Sequence, residues 1–501
     1  MLLKKSLQQV PFFLLLLPVF FVLHGFNEDY YYINFSDCLY LMAQYAGWAL
    51  LLFMAAFLLI KRSVGAALFS SLLLFFYLFF GALHTFLKRL SLPHRHSIVL
   101  FLFLLLLFLL VRAVRKKKSL ARVCFFFNVL LLLYLVIDAG SALLKAAGQN
   151  RPQLPSYSIP ELAKPCDSCA RPDIYFLVFD EYSSSRVLKD FYHYDNSELD
   201  HFLESEDFSI QKKSIANYSR TPFSIASMLN FSYLKGLPAS NLIGLEDFKR
   251  ISLSIQNSEA LKLLSRQGYR IVNLSFFALA DQPPPLEQLF ISMNTRLITG
   301  QTFSHYYDSE FRELIQKWLA DKHLRDPSKV VQSNFTKVYE GNTRMLALAK
   351  EESAKRPAQP RFVYVHVFMP HWPHLFDSLG RRKNNNLWAG AMNDSIIREY
   401  TGYLPYTNAC AKDLISTIKK NSGGKAVILF MSDHGFRFSN DQVPLVNAFF
   451  NQNAVYFPDK DYHLLYDSIS GVNQFRVVFN HLFHQNLPLL KDSVLFLKEK
   501  Q

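Results

Sequence analysis

The chain has 501 residues, 50% of them hydrophobic and 15% aromatic, which is too apolar for a disordered polymer and too long for one small domain. Its net charge of +14 is uneven: residues 1–150 hold 14 Lys and Arg against 4 Asp and Glu, leaving an excess of only +4 for residues 151–501. Because the excess flanks long apolar stretches and forms no groove of its own, it argues against a nucleic-acid partner and for membrane topology.

Five runs are apolar and long enough to cross a hydrocarbon core of ~30 Å: Val10–Phe26, Cys38–Ile60, Ala66–Leu87, Ile98–Val111 and Val123–Ala147. Lys4 and Lys5 precede the first run, Lys61 and Arg62 follow the second, and six basic residues from Arg112 to Arg122 separate the fourth from the fifth. With five spans, all three clusters fall on one side, which the positive-inside rule makes cytoplasmic. Glu28, Asp29 and Asp37 suit the outer loop after the first run, while Lys88, Arg89 and Arg95 oppose the assignment and are outnumbered. No small-x-small cleavage site follows the first run, so it reads as an uncleaved span. The expectation is a membrane domain over residues 1–149, multi-pass in the cytoplasmic membrane, with everything after residue 149 outside.

Residues 150–171 carry Pro152, Pro155, Pro160 and Pro165 and read as an extended linker. Cys166 and Cys169 lie in it, close enough for a local disulfide in an oxidising compartment. From residue 172 to 501 the pattern becomes α/β. Strand-like runs at Asp173–Asp180, Tyr269–Phe277, Phe362–Met369 and Ala426–Met431 alternate with amphipathic segments near 256–267, 309–321, 334–351 and 396–420. That alternation predicts a mostly parallel sheet covered by helices on both faces.

Sheets of this kind bind ligands beyond the carboxyl ends of their strands. The first run ends in Asp180-Glu181, the third in His371-Trp-Pro-His374, and the fourth in Asp433-His434-Gly435. Singly, such residues are ordinary caps and turn formers. Together they predict a site for one divalent metal ion, with oxygen and nitrogen donors that suit Zn²⁺ or Mn²⁺ better than Ca²⁺ or Mg²⁺. Thr221 followed by Pro222 has the form of a helix N-cap with Pro at the first helical position. A hydroxyl there also meets an anionic group in a region of positive backbone dipole.

These segments, with Asp173–Glu181, the stretch around Thr221, Tyr364–His374 and Val427–Gly435, resemble the successive motifs of the sulfatase-like branch of the alkaline phosphatase superfamily. With membrane spans ahead of them, the layout resembles lipoteichoic acid synthases and lipid A phosphoethanolamine transferases. The late segment Val472–Asn480 is similar to a C-terminal stretch of such proteins. The resemblance implies Thr221 as nucleophile, with Asp180, Glu181, Thr221, Asp433 and His434 around the metal. It also implies His371 and His374 as substrate contacts, with His366 a further one. True sulfatases oxidise Cys or Ser within a Cys/Ser-x-Pro/Ala-x-Arg signature, but here the nucleophile's place holds Thr221, which cannot become an aldehyde by that route.

The expected function is therefore metal-dependent transfer or hydrolysis of a phosphoryl or phospho-alcohol group of an envelope lipid or glycan, on the outer face of the bilayer. A sulfuric or phosphoric ester hydrolase using the same site is the alternative within catalysis. A catalytically silent binding module on a membrane anchor is the alternative from another class.

Overall fold

The computed structural model describes residues 2–90, 96–116, 119–148, 168–285, 295–307, 333–372, 376–383 and 394–500, together with Tyr157, Cys166, Ile315, Trp318, Leu319, Lys322 and His374. The chain divides into two compact units, Met1–Pro152 with Ser292–Val330, and Gln153–Ile291 with Val331–Gln501.

The five apolar runs of the first unit are helical over most of their length, in Phe13–Glu28, Phe35–Ile60, Ser63–Leu78 with Phe80–Arg89, His96–Lys116 and Ala121–Ala146. Phe35–Ile60 and Ala121–Ala146 are long and apolar enough to cross a membrane. A third span is added if Ser63–Leu78 and Phe80–Arg89, bent by 67° at their junction, count as one. Length and composition thus support two or three spans where the sequence predicts five.

The first run is shortened because Pro11 has no N–H to continue the helix Leu2–Gln9. Asn128 ties this break together: its Oδ1 accepts from Phe13 N at 2.7 Å, and its Nδ2 donates to Leu7 O and Val10 O at 2.9 and 2.8 Å. The short helices Arg296–Thr299 and Phe303–Tyr306 also belong to this unit. Gly81 N donates to Gln301 O, Tyr77 Oη to Ser304 Oγ, and the Phe80 and Phe303 rings meet edge to face.

The second unit is built on β1 (Ile174–Phe179), β2 (Ser209–Ile210), β3 (Leu242–Ile243), β4 (Arg270–Leu274), β5 (Arg361–Val367), β6 (Val427–Met431), β7 (Asn453–Tyr456) and β8 (Lys498–Glu499). Six of them form one sheet in the order β2-β7-β6-β1-β5-β4, and β3 pairs with β8. Strands β6, β1, β5 and β4 run parallel, as the sequence predicts, and β7 and β2 add an antiparallel edge that it does not.

Both faces of β1 are covered. Ile174, Phe176 and Val178 enter one hydrophobic core, Tyr175, Leu177 and Phe179 the other, so the strand reads as a continuous apolar run. Among the predicted amphipathic segments, 256–267 contains the helix Glu259–Arg266, 334–351 lies within Ser333–Ala354, and 396–420 within Asp394–Ser422. Most of 309–321 lies outside the described residues. Cys166 and Cys169 are joined in a disulfide.

Register decides where chemistry can gather. Phe179 pairs with Val367, and Val178 pairs with both His366 and Met431, so β1, β5 and β6 end level with one another. Asp180, the β5 end and Asp433 are thereby delivered to one edge of the sheet.

Candidate active site

The helix Thr221–Leu229 rises beside this edge with all nine residues buried. It begins one residue earlier than predicted. Arg220 is the extended N-cap residue (φ −124°, ψ 124°), which makes Thr221 the first helical residue and Pro222 the second. Thr221 therefore caps nothing, and its Oγ1 lies 3.3 Å from His434 Nε2. Support comes from behind: the Asn217 side chain accepts from Val472 N at 2.8 Å and donates to Ser493 O, while Arg476 donates to Phe231 O. The late segment Val472–Asn480 is thus the packing partner of the Thr221 helix, within the helix Gly471–Phe483.

Asp180, Asp433 and His434 present ligand atoms that all lie within 4.8 Å of one another, and all three residues are fully buried. His434 Nδ1 lies 2.9 Å from Gly435 O; a carbonyl can only accept, so Nδ1 carries the proton and Nε2 offers its lone pair towards Thr221 and Asp433. That is the tautomer a metal-ligating imidazole requires. Gly435 lets the turn close, since a Cβ there would sit 2.6 Å from Phe450 O and 2.9 Å from Asn447 O. Asp433 Oδ1 accepts from Glu181 N at 3.1 Å, and Ser224 Oγ donates to Asp433 O at 2.6 Å.

Three carboxylate oxygens remain: Asp180 Oδ1 and Oδ2 and Asp433 Oδ2 are buried with no hydrogen-bond partner among the described residues. A native core satisfies such groups. Burial, and then the charge of Asp433, push the Asp180 carboxyl well above its usual range. Burial acts in the same direction on Asp433, but His434, His366 and the hydrogen bond from Glu181 N–H outweigh it and hold that carboxyl low. Two carboxylates, an imidazole nitrogen and a hydroxyl converging on unsatisfied oxygens fit a divalent cation, which would supply the missing partner.

Glu181 lies outside this group although it adjoins Asp180. Its φ of 64° turns the chain so that its carboxylate points to Arg437, whose backbone N and Nε lie 3.1 and 3.0 Å from Oε1. Burial opposes the charged form of Glu181, but the positive charge around it, including the Arg437 guanidinium hydrogen-bonded to it, overcomes this and holds the carboxyl well below its usual range.

His371 joins the same cluster. Its Nδ1 meets Trp372 O at 2.5 Å, and its Nε2 receives Arg437 Nη2 at 2.6 Å. A guanidinium only donates, so Nε2 is an acceptor here and holds no proton to give. His374 is 2% exposed, with its ring among those of Tyr400, Tyr403 and Phe436, which gives it the surroundings of a packing residue. His366 sits on β5 with Nε2 3.5 Å from Asp180 Oδ2 and Nδ1 2.8 Å from Tyr364 Oη. Arg437 is the site residue that motif reading misses. Lying just past Asp433-His434-Gly435, it is one basic residue among many until the fold brings Glu181 to it.

Residues 215–476, a little over half of the chain, match the sulfatase family. Several solved structures are similar at low identity. A Bacteroides thetaiotaomicron protein described in connection with the metabolism of multiple glycosaminoglycans is 14% identical, covers 62% of this chain and 72% of its own, and has a TM-score of 0.39. The Neisseria meningitidis integral membrane protein lipooligosaccharide phosphoethanolamine transferase A is 12% identical over 78% of this chain and 70% of its own, with a TM-score of 0.40. For the phosphonate monoester hydrolase of Agrobacterium radiobacter the figures are 12%, 62%, 74% and 0.38. No curated protein sequence matches the chain.

Proposed function

The chain belongs to the sulfatase family of enzymes, and we propose that within it this protein transfers or hydrolyses a phosphoryl or phospho-alcohol group of an envelope lipid or glycan, with Thr221 as nucleophile. One observation carries the reading: a buried threonine hydroxyl at the start of a helix lies 3.3 Å from His434 Nε2, beside buried carboxylate oxygens that have no hydrogen-bond partner among the described residues.

Asp180, Asp433, His434 and Thr221 would hold the cation, with zinc or manganese suited to this donor set. Bound there, a divalent cation would lower the pKa of the Thr221 hydroxyl and offset negative charge on the ester group. Thr221 Oγ1 then forms a bond to phosphorus as the ester oxygen departs, and the proton of Thr221 ends on the leaving alcohol. Water or an acceptor alcohol displaces Thr221 in the second step and returns its proton. The N-terminus of the Thr221–Leu229 helix favours the anionic group throughout, by its free N–H groups and dipole.

In this reading the apolar runs of residues 1–149 anchor the chain in the cytoplasmic membrane, residues 150–171 link, and residues 172–501 work outside the cytoplasm. A threonine nucleophile favours phosphorus over sulfate-ester chemistry, because the formylglycine route is closed to it. The test is Thr221→Ala in metal-loaded protein, with mass spectrometry of the wild type quenched during turnover of an aryl phosphodiester. Phosphorus on Thr221 of the wild type and loss of turnover in the variant are expected, with the metal supplied in excess and its content determined for both proteins. Wild-type turnover by Thr221→Ala would refute the assignment.

A further inference from the structure

The contact between Arg437 and His371 gives neither residue a final purpose. Arg437 is anchored by Nε and its backbone N–H to Glu181, and only its terminal nitrogens are left to work. Nη2 reaches His371 Nε2 at 2.6 Å, with Glu181 Oε2 3.5 Å from the same imidazole nitrogen, and Nη1 donates to nothing among the described residues. The side chain keeps 27% exposure although Glu181, its anchor, keeps 4%. A structural arginine ordinarily spends its donors on carbonyls and carboxylates, as Arg361 does on Asp173 and Glu352. Arg437 instead holds its fork open towards solvent and rests one arm on a neutral nitrogen.

Its charge also reaches the reacting groups. The acids Asp180 and Asp433 favour the charged form of Arg437, as Glu181 does, so the guanidinium stands in the same electrostatic field as the cation site. A guanidinium fixed at Nε with two terminal N–H groups free is the shape that binds two oxygens of a tetrahedral anion at once. A hydrogen bond to an anionic oxygen is roughly twice as strong as one between neutral partners, so an arriving ester wins the arm that now rests on His371.

We propose that Arg437 is the receptor for the non-bridging oxygens of the substrate's phosphoryl-type group, and that it masks His371 Nε2 until the substrate takes its place. Substrate entry itself then uncovers the imidazole. Nε2 becomes available to accept a proton from the acceptor alcohol or water, or to contact the leaving oxygen, only when the site is filled. Glu181 is the positioning residue of this device, because its Oε1 accepts from both the backbone N–H and the Nε of Arg437 and takes neither terminal nitrogen. The inference rests on the phosphoryl-transfer reading given above and assigns that site its anion-binding side chain.

The test uses the full-length, metal-loaded protein in detergent and inorganic phosphate as the probe, with inorganic sulfate in a parallel arm. Phosphate affinity is measured by calorimetry for wild type, Arg437→Ala and Arg437→Lys, with metal content determined for each. Arg437→Ala is expected to weaken phosphate by about tenfold to a hundredfold at unchanged metal content, and Arg437→Lys to recover part of the loss. In ¹⁵N-histidine spectra the His371 Nε2 signal of the wild type should move when phosphate binds. In Arg437→Ala it should already lie at the uncovered position, a response that a merely structural arginine would not produce. Unchanged phosphate affinity in Arg437→Ala, or a His371 signal that ignores phosphate in the wild type, overturns the proposal and leaves Thr221 chemistry intact. If phosphate does not bind metal-loaded wild type at all, both readings fall. Should Arg437→Ala not fold, Arg437→Lys decides alone: affinity equal to wild type overturns the receptor role. Tighter sulfate than phosphate would redirect the substrate class while keeping the receptor.

Discussion

Asp180→Asn separates what the site costs without a cation from what it gains with one. Without metal, Asp180 and Asp433 are two fully buried carboxyls in one pocket, and both oxygens of Asp180 have no hydrogen-bond partner among the described residues. Burial and the charge of Asp433 already disfavour a second negative charge there. Asn keeps the shape and removes that charge, so the metal-free variant should be at least as stable as metal-free wild type. With metal the order reverses. At free zinc a hundredfold above its Kd, wild type gains about 2.7 kcal/mol. With about 2.1 cal/mol/K of unfolding entropy per residue, a unit of ~300 residues then melts about 4 °C higher. If losing one carboxylate weakens binding about a hundredfold, the variant gains only about 0.4 kcal/mol at the same zinc, or under ~1 °C. The assay is thermal unfolding of full-length protein in detergent, with chelator and with buffered zinc. A variant that keeps the full zinc-dependent shift would remove Asp180 from the cation site. A variant clearly less stable than wild type in chelator would show that the carboxylate has a structural partner that this account lacks.

Gly435→Ala places a methyl group against two backbone oxygens, Phe450 O and Asn447 O, neither of which can swing aside. A cost of about 1–3 kcal/mol in unfolding free energy, with weaker metal binding through the displaced His434, is expected, and a neutral variant would contradict the tight turn. Burial, eased slightly by Glu181, lowers the pKa of His374 to about 3 from an ordinary value near 6.5. A depressed folded-state value means that the unfolded chain takes up this proton first. The contribution is therefore intact above pH 6.5 and is lost as pH falls towards 3, at up to about 1.4 kcal/mol per pH unit. His374→Phe, which suits the rings of Tyr400, Tyr403 and Phe436, should flatten the acid limb of a pH-dependent melting curve taken in chelator; an unchanged slope would refute the assignment.

The strands that carry the site were legible because each is buried on both faces and so appears as an unbroken apolar run ending in a polar residue. Asp180, Asp433 and His434 followed directly, since level strand ends bring such residues to one edge. The antiparallel edge strands escaped notice because Ser209–Ile210 is two residues long and Asn453–Tyr456 is four, too short for alternation to register. Five spans are not confirmed by helix length, because the helices are interrupted at Pro11 and at the bend after Leu78. Membership of Ser292–Val330 in the first unit was invisible for a related reason: Ile298, Phe303 and Tyr306 are few apolar residues in a polar stretch, and they find partners 200 residues away. Glu181 looked like a ligand because sequence adjacency suggests shared direction, and Arg437 was passed over because no local pattern distinguishes it.

The left-handed residue at position 181 has a wider meaning for how this centre can change. By reversing the chain between two consecutive acids, it turns the Asp180 carboxylate towards Asp433 and His434 and the Glu181 carboxylate towards the guanidinium, so neighbouring codons serve two different side-chain groups. On the proposed assignment, Glu181 and Arg437 are the positions at which the grip on the ester changes, and Asp180 the position at which the choice of ion changes, each felt by the other through their shared field. A site partitioned in this way can drift between substrates while its reaction chemistry stays fixed.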